Sequence, residues 1–314
     1  MQFNPSKSST VHNWKDLPSV SGFLTMGNFD GVHIGHQNLI AEGKKNGEVS
    51  VLTYSPHPCV ALGKATNPFL LTSDREKVNF LEDLSVKNVI FLDFDSEISS
   101  MEPDEFIKKV IKERLNPDGV IVGYDHNFGK GRKGDAEFLA RMGRDLGFEV
   151  IVHPEVKVNR QPVKSTMIRE FIRSGQLKRA ERVLHHPYSL TGIVISGSGL
   201  GKDLGYPTAN IELDSEYKLL PPEGVYSSIA KIDDEEFPSM LYIGSSPTYR
   251  IEERKIEAHL LDFSGDLYGK NIQCTVYSFI RKQKYFSSKE LLKENIDRNK
   301  EEIINSLKEA YKWN

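Results

Sequence analysis

His33 and His36 stand three residues apart, with Gly35 between them, in the run Thr25-Met-Gly-Asn-Phe-Asp-Gly-Val-His-Ile-Gly-His36. A short apolar run, Gly22-Phe-Leu-Thr25, precedes them, and a helical pattern, Gln37-Asn-Leu-Ile-Ala-Glu42, follows. On a strand-to-helix turn, residues at this spacing share a helix face, so both imidazoles are expected on the first turn. The helix start adds unpaired backbone N–H groups and the positive end of the helix dipole. Gly35 lets a phosphate chain come close to the backbone. Such a set of groups suits a nucleoside triphosphate held during attack at its α-phosphorus. A spaced histidine pair also describes two unrelated side chains or a fragment of a metal site. Asn28-Phe-Asp30-Gly31 directly before the pair and the strand–turn–helix context favour the phosphate reading, as does the lack of a neighbouring cluster that would complete a zinc site.

A second set lies in Gly197-Ser-Gly199-Leu-Gly201-Lys-Asp-Leu-Gly205-Tyr-Pro207-Thr-Ala-Asn210. A glycine-rich loop can lay its backbone against phosphates. Thr208 and Asn210 face one side of an extended segment and offer the neutral oxygens that suit Mg²⁺. On their own they read as an ST-turn followed by an Asn turn. Glu257 shares strand parity with His259 and Leu261, which sets it on the inward side of a small barrel. There a general base for an alcohol and a salt-bridged carboxylate are equally good readings.

The elements that must position these groups fall into two patterns. With 314 residues, 38% of them hydrophobic and 27% charged, the chain is long enough for two globular domains. Up to about residue 185, β-type runs (49–54, 89–94, 120–122, 150–152) alternate with helical ones. Ser73-Asp-Arg-Glu76 is a capping box opening one helix, Pro103 opens another, and a third covers Ala136–Leu146. This alternation predicts a parallel sheet covered on both faces, with ligands beyond the carboxyl ends of its strands. The histidine turn, Ser55-Pro-His57-Pro58 and Gly123-Tyr-Asp125 all follow a strand and fall on that edge. Helices over 166–173 and 177–184, separated by Gly175, read as a connector. Beyond Pro187 the strand-like runs 190–195, 224–232, 240–243, 256–263 and 272–280 have no helices between them, which predicts an antiparallel sheet or small barrel. The capping box Ser287-Ser-Lys-Glu290 opens a last helix.

A net charge of −3 argues against general affinity for nucleic acid or an anionic membrane surface. Cys59 and Cys274 lie far apart with no CxxC, which suits a reducing compartment. With no run of membrane-spanning length and no apolar core near the N-terminus, the expectation is a cytoplasmic protein.

The motifs GNFDGVHIGH (27–36), TYSPHP (53–58), GYDHNFGKGRKGD (123–135) and STMIR (165–169), then GSGLGKDLGYPTANI (197–211), LLPPEGVY (219–226), YIGSSPTY (242–249), EAHLLDF (257–263) and LYGK (267–270), stand in the order and spacing of one family. The chain resembles the prokaryotic bifunctional riboflavin kinase/FAD synthetases from about Gly22 to the last helix. The resemblance implies a Rossmann-like α/β nucleotidylyltransferase domain over residues 1–185. It implies an antiparallel β-barrel riboflavin kinase domain with a terminal helix over 186–314. Two reactions follow: ATP would phosphorylate riboflavin to FMN in the C-terminal half, and AMP from a second ATP would join FMN to give FAD and pyrophosphate in the N-terminal half.

On this resemblance His33 and His36 are catalytic in adenylyl transfer, with Gly27, Asn28, Phe29, Asp30, Gly35, Ser165, Thr166 and Arg169 binding ATP and its phosphates; Asp30 also reads as structural. His57, Asp125, Asn127 and Phe128 would meet the flavin. In the kinase half Glu257 is the base, Gly197, Gly199, Gly201 and Lys202 cradle phosphate, and Thr208 and Asn210 hold Mg²⁺ with ATP. Arg281 lies near the flavin or in a surface ion pair. The partners are riboflavin, FMN, FAD and ATP, with no nucleic acid or membrane, in a monomer or weak homo-oligomer. Departures concentrate in the kinase half: Leu200-Gly201-Lys202 stands where the family has Arg-Gly-Arg, and Arg281-Lys-Gln283 where it has Arg-x-Glu. Lys164, in place of a serine, is a milder change. Adenylyl transfer is therefore expected to be retained and the kinase to be weak or absent. A flavin-binding regulator without turnover is the alternative from another class; a different nucleotidylyltransferase or a relative of aminoacyl-tRNA synthetases would leave the C-terminal motifs unexplained.

Overall fold

The computed structural model describes residues 9–16, 19–65, 67–197, 201, 205–246 and 251–311. Two compact units divide the chain: Met1–Asn67 with Asp74–Ser165, and Pro68–Ser73 with Thr166–Asn314.

The first unit is built on six parallel strands: β1 (Thr10–Asn13), β2 (Phe23–Met26), β3 (Val49–Ser55), β4 (Asn88–Asp93), β5 (Gly119–Gly123) and β6 (Glu149–His153). Their order is β1-β4-β3-β2-β5-β6, and every pairing is parallel. Alternate residues of each strand feed two apolar layers. Leu24, Met26, Leu52, Ile90, Leu92, Val120 and Val122 pack with Phe106, Ile107, Val110, Ile111 and Leu139. Val49, Val51 and Val89, of opposite parity, pack with Phe29, Val32, Ile40, Val78 and Leu81. Both faces are thus covered, as the alternating pattern predicts. Strand β1 escapes the sequence pattern because it is a four-residue, half-exposed edge. The helix opened by Pro103 runs as α-helix only to Phe106 and continues over Ile107–Leu115 with i→i+5 bonding. In that wider coil Ile107, Val110, Ile111 and Leu115 are all buried.

In the second unit, strands β7 (Tyr188–Ile195), β8 (Ala209–Leu213), β9 (Gly224–Ile232), β10 (Glu235–Ser246), β11 (Ile251–Leu260) and β12 (Asn271–Arg281) close an antiparallel barrel. The order around it is β7-β8-β11-β10-β9-β12. Strand β10 is longer than the pattern suggests because Pro238 sits inside it, opposite Ile229. The C-terminal helix Lys289–Tyr311 lays Ile303 and Leu307 on Val225, Ile229, Met240, Leu261 and Tyr277. Its first-turn cap is Ser288, whose Oγ accepts from Leu291 N at 3.2 Å, one residue later than the capping-box spacing indicates.

The compact units cut the chain elsewhere than the 185/186 boundary. Helix Leu177–Leu184 buries Leu177, Ala180, Val183 and Leu184 and packs on β7 and β12, so residues 166–184 belong with the barrel. Residues 68–73 do as well: Phe69 N and Leu70 N donate to Tyr217 O at 2.8 and 2.9 Å, and the buried Lys218 Nζ donates to Leu71 O at 2.6 Å.

Candidate functional sites

In the first unit, β2 ends at Met26 and helix Ile34–Lys44 begins immediately after His33, leaving 27–33 as a tight turn. Phe29 (φ +49°) and Val32 (φ +37°) adopt left-handed backbone, which disfavours branched and bulky residues. Both side chains are fully buried in the apolar layer beneath, and that burial offsets the strain. Hydrogen bonds stitch the turn to its surroundings. Gly27 N donates to Leu52 O at 3.0 Å, Val32 N to Phe29 O at 3.1 Å, Thr53 Oγ1 to Asn28 O at 3.0 Å, and Gln37 Nε2 to Val32 O at 2.9 Å. Ser165 Oγ reaches back to Asp30 O at 3.2 Å, and Asp30 itself is buried.

His33 is the residue just before the helix rather than on its first turn. The two imidazoles nevertheless meet, stacked with centroids 3.7 Å apart and planes 14° from parallel. A Cβ at position 35 would lie 3.1 Å from His33 Cε1 and Nδ1, so Gly35 makes room for the folded-over ring. Phe29 backs His36 at 4.7 Å. Burial pushes the His36 pKa well below its ordinary value, and the charges of His33 and Lys77 push the same way. The ring is therefore neutral, and its buried Nδ1 has no hydrogen-bond partner among the described residues. The sequence pattern missed Lys77, 3% exposed, which donates to Thr53 Oγ1 at 3.3 Å; a single lysine on an amphipathic helix carries no signal of burial.

The other residues assigned to this half divide. His57 Nδ1 accepts from Cys59 N at 3.1 Å, capping helix Pro58–Ala61 and leaving Nε2 to carry the proton. Asp125 and Asn127 are exposed on the loop after β5, with Asn127 Nδ2 donating to Asp125 O at 2.7 Å. Phe128 is packed in the core, 3% exposed, against Phe106 and Phe138. Its aromatic type reads as a flavin contact, and in this structure the ring also packs in the core. Phe128→Ala is expected to destabilise this unit by about 3–5 kcal/mol in chemical denaturation, the usual loss for a buried aromatic. The neighbouring His126, which sequence reasoning passed over, is held at a pKa of about 4 by burial and then by the charge of Arg132. In the second unit, Thr166 and Arg169 lie on helix Ser165–Arg173, where Arg169 Nε donates to Phe69 O at 2.8 Å and the guanidinium stacks over the Phe69 ring at 5.4 Å.

The barrel brings Thr208, Asn210 and Glu257 together. Asn210 and Glu257 are cross-strand partners on β8 and β11, and Thr208 hydrogen-bonds the Glu257 carboxylate. Burial raises the Glu257 pKa above the ordinary value, opposed by Lys255 and by the Thr208 bond. Parity with Leu261 points inward, but the structure reverses this. Glu257 and His259 pair with Tyr242 and Met240, on the face covered by the C-terminal helix. The row that runs through the fully buried Ala258, Leu241 and Tyr226 takes the barrel interior. Leu261 packs with Met240 under the same helix, so its burial marks the helix-covered face and not the barrel interior.

A Cβ on Gly197 would fall 1.9 Å from Asn210 Nδ2, and one on Gly201 would fall 2.4 Å from Tyr206 O and 3.2 Å from Thr208 Oγ1. Both glycines therefore lie against the Thr208–Asn210 segment; Gly199, Leu200 and Lys202 fall outside the described residues. Two further contacts brace the segment: Tyr206 Oη donates to Asp297 Oδ1 at 2.6 Å, and His259 Nδ1 bonds Pro207 O at 2.8 Å. Arg281 is tied to the C-terminal helix, with Nε donating to Asn299 Oδ1 at 2.8 Å and the guanidinium over Phe286 at 5.5 Å. Gln283 Nε2 and Tyr242 Oη both donate to Ser245 O, at 2.7 and 2.5 Å. A carboxylate at 283 could not make that donation, so the amide has a structural role of its own. Gly197→Ala is expected to leave folding intact while displacing the Asn210 amide. A misplacement of this size costs on the order of 10²-fold in turnover, read as riboflavin phosphorylation.

A parallel α/β unit with a histidine turn, joined to a closed barrel with a Thr–Asn–Glu constellation, defines a two-module enzyme of nucleotide-dependent group transfer. The FAD synthetase family matches residues 19–167 and the riboflavin kinase family matches 184–307. The bifunctional riboflavin kinase/FMN adenylyltransferase of Escherichia coli (strain K12) is 34% identical over 295 residues, covering 92% of this chain and 94% of that protein. That of Bacillus subtilis (strain 168) is 34% identical over 292 residues, covering 90% and 91%. A crystal structure titled as a macrolide-efflux protein from Streptococcus pneumoniae is 30% identical and superposes with a TM-score of 0.80, covering 94% of this chain and 99% of that one. The chain belongs to the bifunctional riboflavin kinase/FMN adenylyltransferase family.

Proposed function

We propose that the chain carries out the last two steps to FAD: ATP-dependent phosphorylation of riboflavin in the C-terminal module, and transfer of AMP from a second ATP to FMN in the N-terminal one. The observation that carries this reading is the presence of two differently equipped sites in one chain. FMN brings an anionic phosphate as nucleophile and needs no strong base; its problem is charge gathering on the α-phosphate and the leaving pyrophosphate. Stacked, uncharged His36 beside His33, at a helix start, offers hydrogen-bond donors for that charge. Riboflavin brings a neutral alcohol and does need a base. A half-buried Glu257 with a raised pKa, held by Thr208, supplies one.

Within that reading, residues 1–185 serve adenylyl transfer and 186–314 serve the kinase. Ser165, Thr166 and Arg169 bind the triphosphate, with Gly27, Asn28, Phe29, Asp30 and Gly35 forming its turn; His57, Asp125 and Asn127 meet the flavin. Gly197, Gly199, Gly201 and Lys202 meet the kinase ATP, and Arg281 the riboflavin. Thr208 and Asn210 would hold Mg²⁺, whose chemistry there is to neutralise phosphate charge. Their neutral oxygens fit it, and no group of three His, Cys, Asp or Glu among the described residues competes as a metal cage. Cys274 is buried, with its thiol pushed up to about 12, and no helix among the described residues is long and apolar enough to cross a membrane. The proposed location is the cytoplasm, and the proposed state a monomer or weak homo-oligomer.

The test is product analysis by HPLC with MgATP, riboflavin in one tube and FMN in another. FAD in both is expected. FAD from FMN alone would mean that Leu200 and Lys202 have disabled the kinase, and no product from either tube, with oxidised or reduced flavin, would favour a flavin-binding regulator.

A further inference from the structure

Lys77, on helix Asp74–Asp83, carries a buried charge turned toward the histidine turn. Its side chain is 4% exposed, a costly place for an ammonium, and it is held by a defined set of partners. Nζ lies 3.3 Å from Thr53 Oγ1 and 3.4 Å from Asp74 Oδ1, with the Phe91 ring 5.7 Å away. Thr53 Oγ1, accepting from Lys77, in turn donates its hydroxyl to Asn28 O at 3.0 Å. Asp74 Oδ2 accepts from Ser55 Oγ at 2.5 Å. One ammonium thus joins the start of a helix, the end of strand β3 and the carbonyl of Asn28.

We propose that Lys77 is a positioning residue for adenylyl transfer: through Thr53 its buried ammonium fixes the Asn28 carbonyl, and with it the turn that carries His33 and His36. Removing the charge frees the Thr53 hydroxyl to rotate and leaves Asp74 with Ser55 alone. A turn already strained at Phe29 and Val32 then loses a tether beside its first strained residue. The same charge adds to the forces that keep His36 uncharged. Asp74 balances the ammonium locally and His33 faces the same ring, so the net field at His36 is set by these groups together with burial.

The inference rests on the reading of 27–36 as the phosphate turn, and the variants separate the two. Lys77→Met, Thr53→Val and His36→Ala are assayed for FMN adenylylation and, on the same preparations, for riboflavin phosphorylation as a report on the intact chain. Lys77→Met is expected to lower kcat about 100-fold with KM for FMN changed less than about threefold, the loss set by misplacement of catalytic groups. Thr53→Val, which keeps the ammonium and cuts only the relay, is expected to lower kcat about tenfold. A kinase-active Lys77→Met protein with full adenylyl transfer overturns the proposal. If Lys77→Met loses both activities, Thr53→Val decides: a lowered kcat supports the relay, and an unchanged one overturns it. A fully active His36→Ala protein would instead sink the reading of the turn itself. The readout that loss of packing alone would not produce is the split itself: kcat for adenylyl transfer falls while KM for FMN and the kinase rate of the same preparation hold, and a parallel change in all three, in Thr53→Val as in Lys77→Met, counts against the proposal.

Discussion

Glu257→Gln is expected to lower riboflavin phosphorylation by about 10²–10⁴-fold, the range for loss of a general base, while FAD formation from supplied FMN stays unchanged. Glutamine keeps the volume and can still bond Thr208, so the strand pairing with Asn210 and Tyr242 survives and the loss reports on the proton acceptor. The pH profile follows from the direction of the shift. Burial raises the Glu257 pKa, so the carboxylate form needed as a base disappears on acidification earlier than an ordinary glutamate would. The acid limb of kcat/KM for the kinase therefore lies above the ordinary carboxylate range and is absent from the residual rate of Glu257→Gln. Tyr242, raised to about 12 chiefly by burial and then by Glu257, stays protonated throughout and keeps its bond to Ser245 O. Kinase turnover that survives the substitution would remove Glu257 from the chemistry.

The parts of the fold that are legible in sequence are those whose periodicity is undiluted. Helix Ala136–Leu146 and strand Gly224–Ile232 match their sequence bounds because a cap (Asp135 Oδ1 on Phe138 N at 2.8 Å) and a glycine mark the edges. Strand β8 begins inside the Pro207–Asn210 motif, and β10 contains a proline that reads as a breaker. The motif residues are legible as types, but their company is not. Two histidines at this spacing do not by themselves announce stacked rings, and a lone Lys77 does not announce a buried cation. Phe128 shows the converse: residue type suggests a ligand contact, and the sequence does not announce that the ring also packs in the core. Glu257 shows a third: Leu261 is buried under the C-terminal helix, so the parity it shares with Glu257 marks the helix-covered face, whereas an apolar pattern alone reads as barrel interior.

The two groups proposed as catalytic, Glu257 and His36, answer to opposite electrostatic needs. In the barrel, burial makes a carboxylate more basic, as an alcohol nucleophile requires. In the α/β unit, burial strips a histidine of its proton, as suits a site where the nucleophile is already anionic and the ring must serve as an oriented dipole. The kinase departures bear on only part of this. Gln283 is accommodated through Ser245 O, and the base and its threonine are in place, so retained kinase activity is consistent with the described residues.

His36→Ala is expected to lower FMN adenylylation by about 10²–10³-fold, mainly in kcat, with riboflavin phosphorylation unaffected. That is the loss seen when one donor to developing charge is removed from a preorganised site. The ring does two things that alanine cannot: it stacks on His33, and it presents a neutral imidazole edge whose Nδ1 is otherwise without a partner among the described residues. The stability of the α/β unit should carry the matching signature. His36 has a lowered pKa in the folded chain and an ordinary one, about 6.5, when unfolded. Between those values the unfolded chain binds the proton and the folded chain does not, so stability is fully present above the ordinary pKa and is lost as pH falls toward the lowered one. His36→Ala removes that slope. Denaturant midpoints of the two proteins should therefore diverge less at pH 5.5 than at pH 7.5, because acidification penalises only the chain that holds the buried ring. Equal divergence at both pH values would mean that the folded protein admits a proton to His36, and an imidazolium would then have to replace the neutral donor in the account of adenylyl transfer.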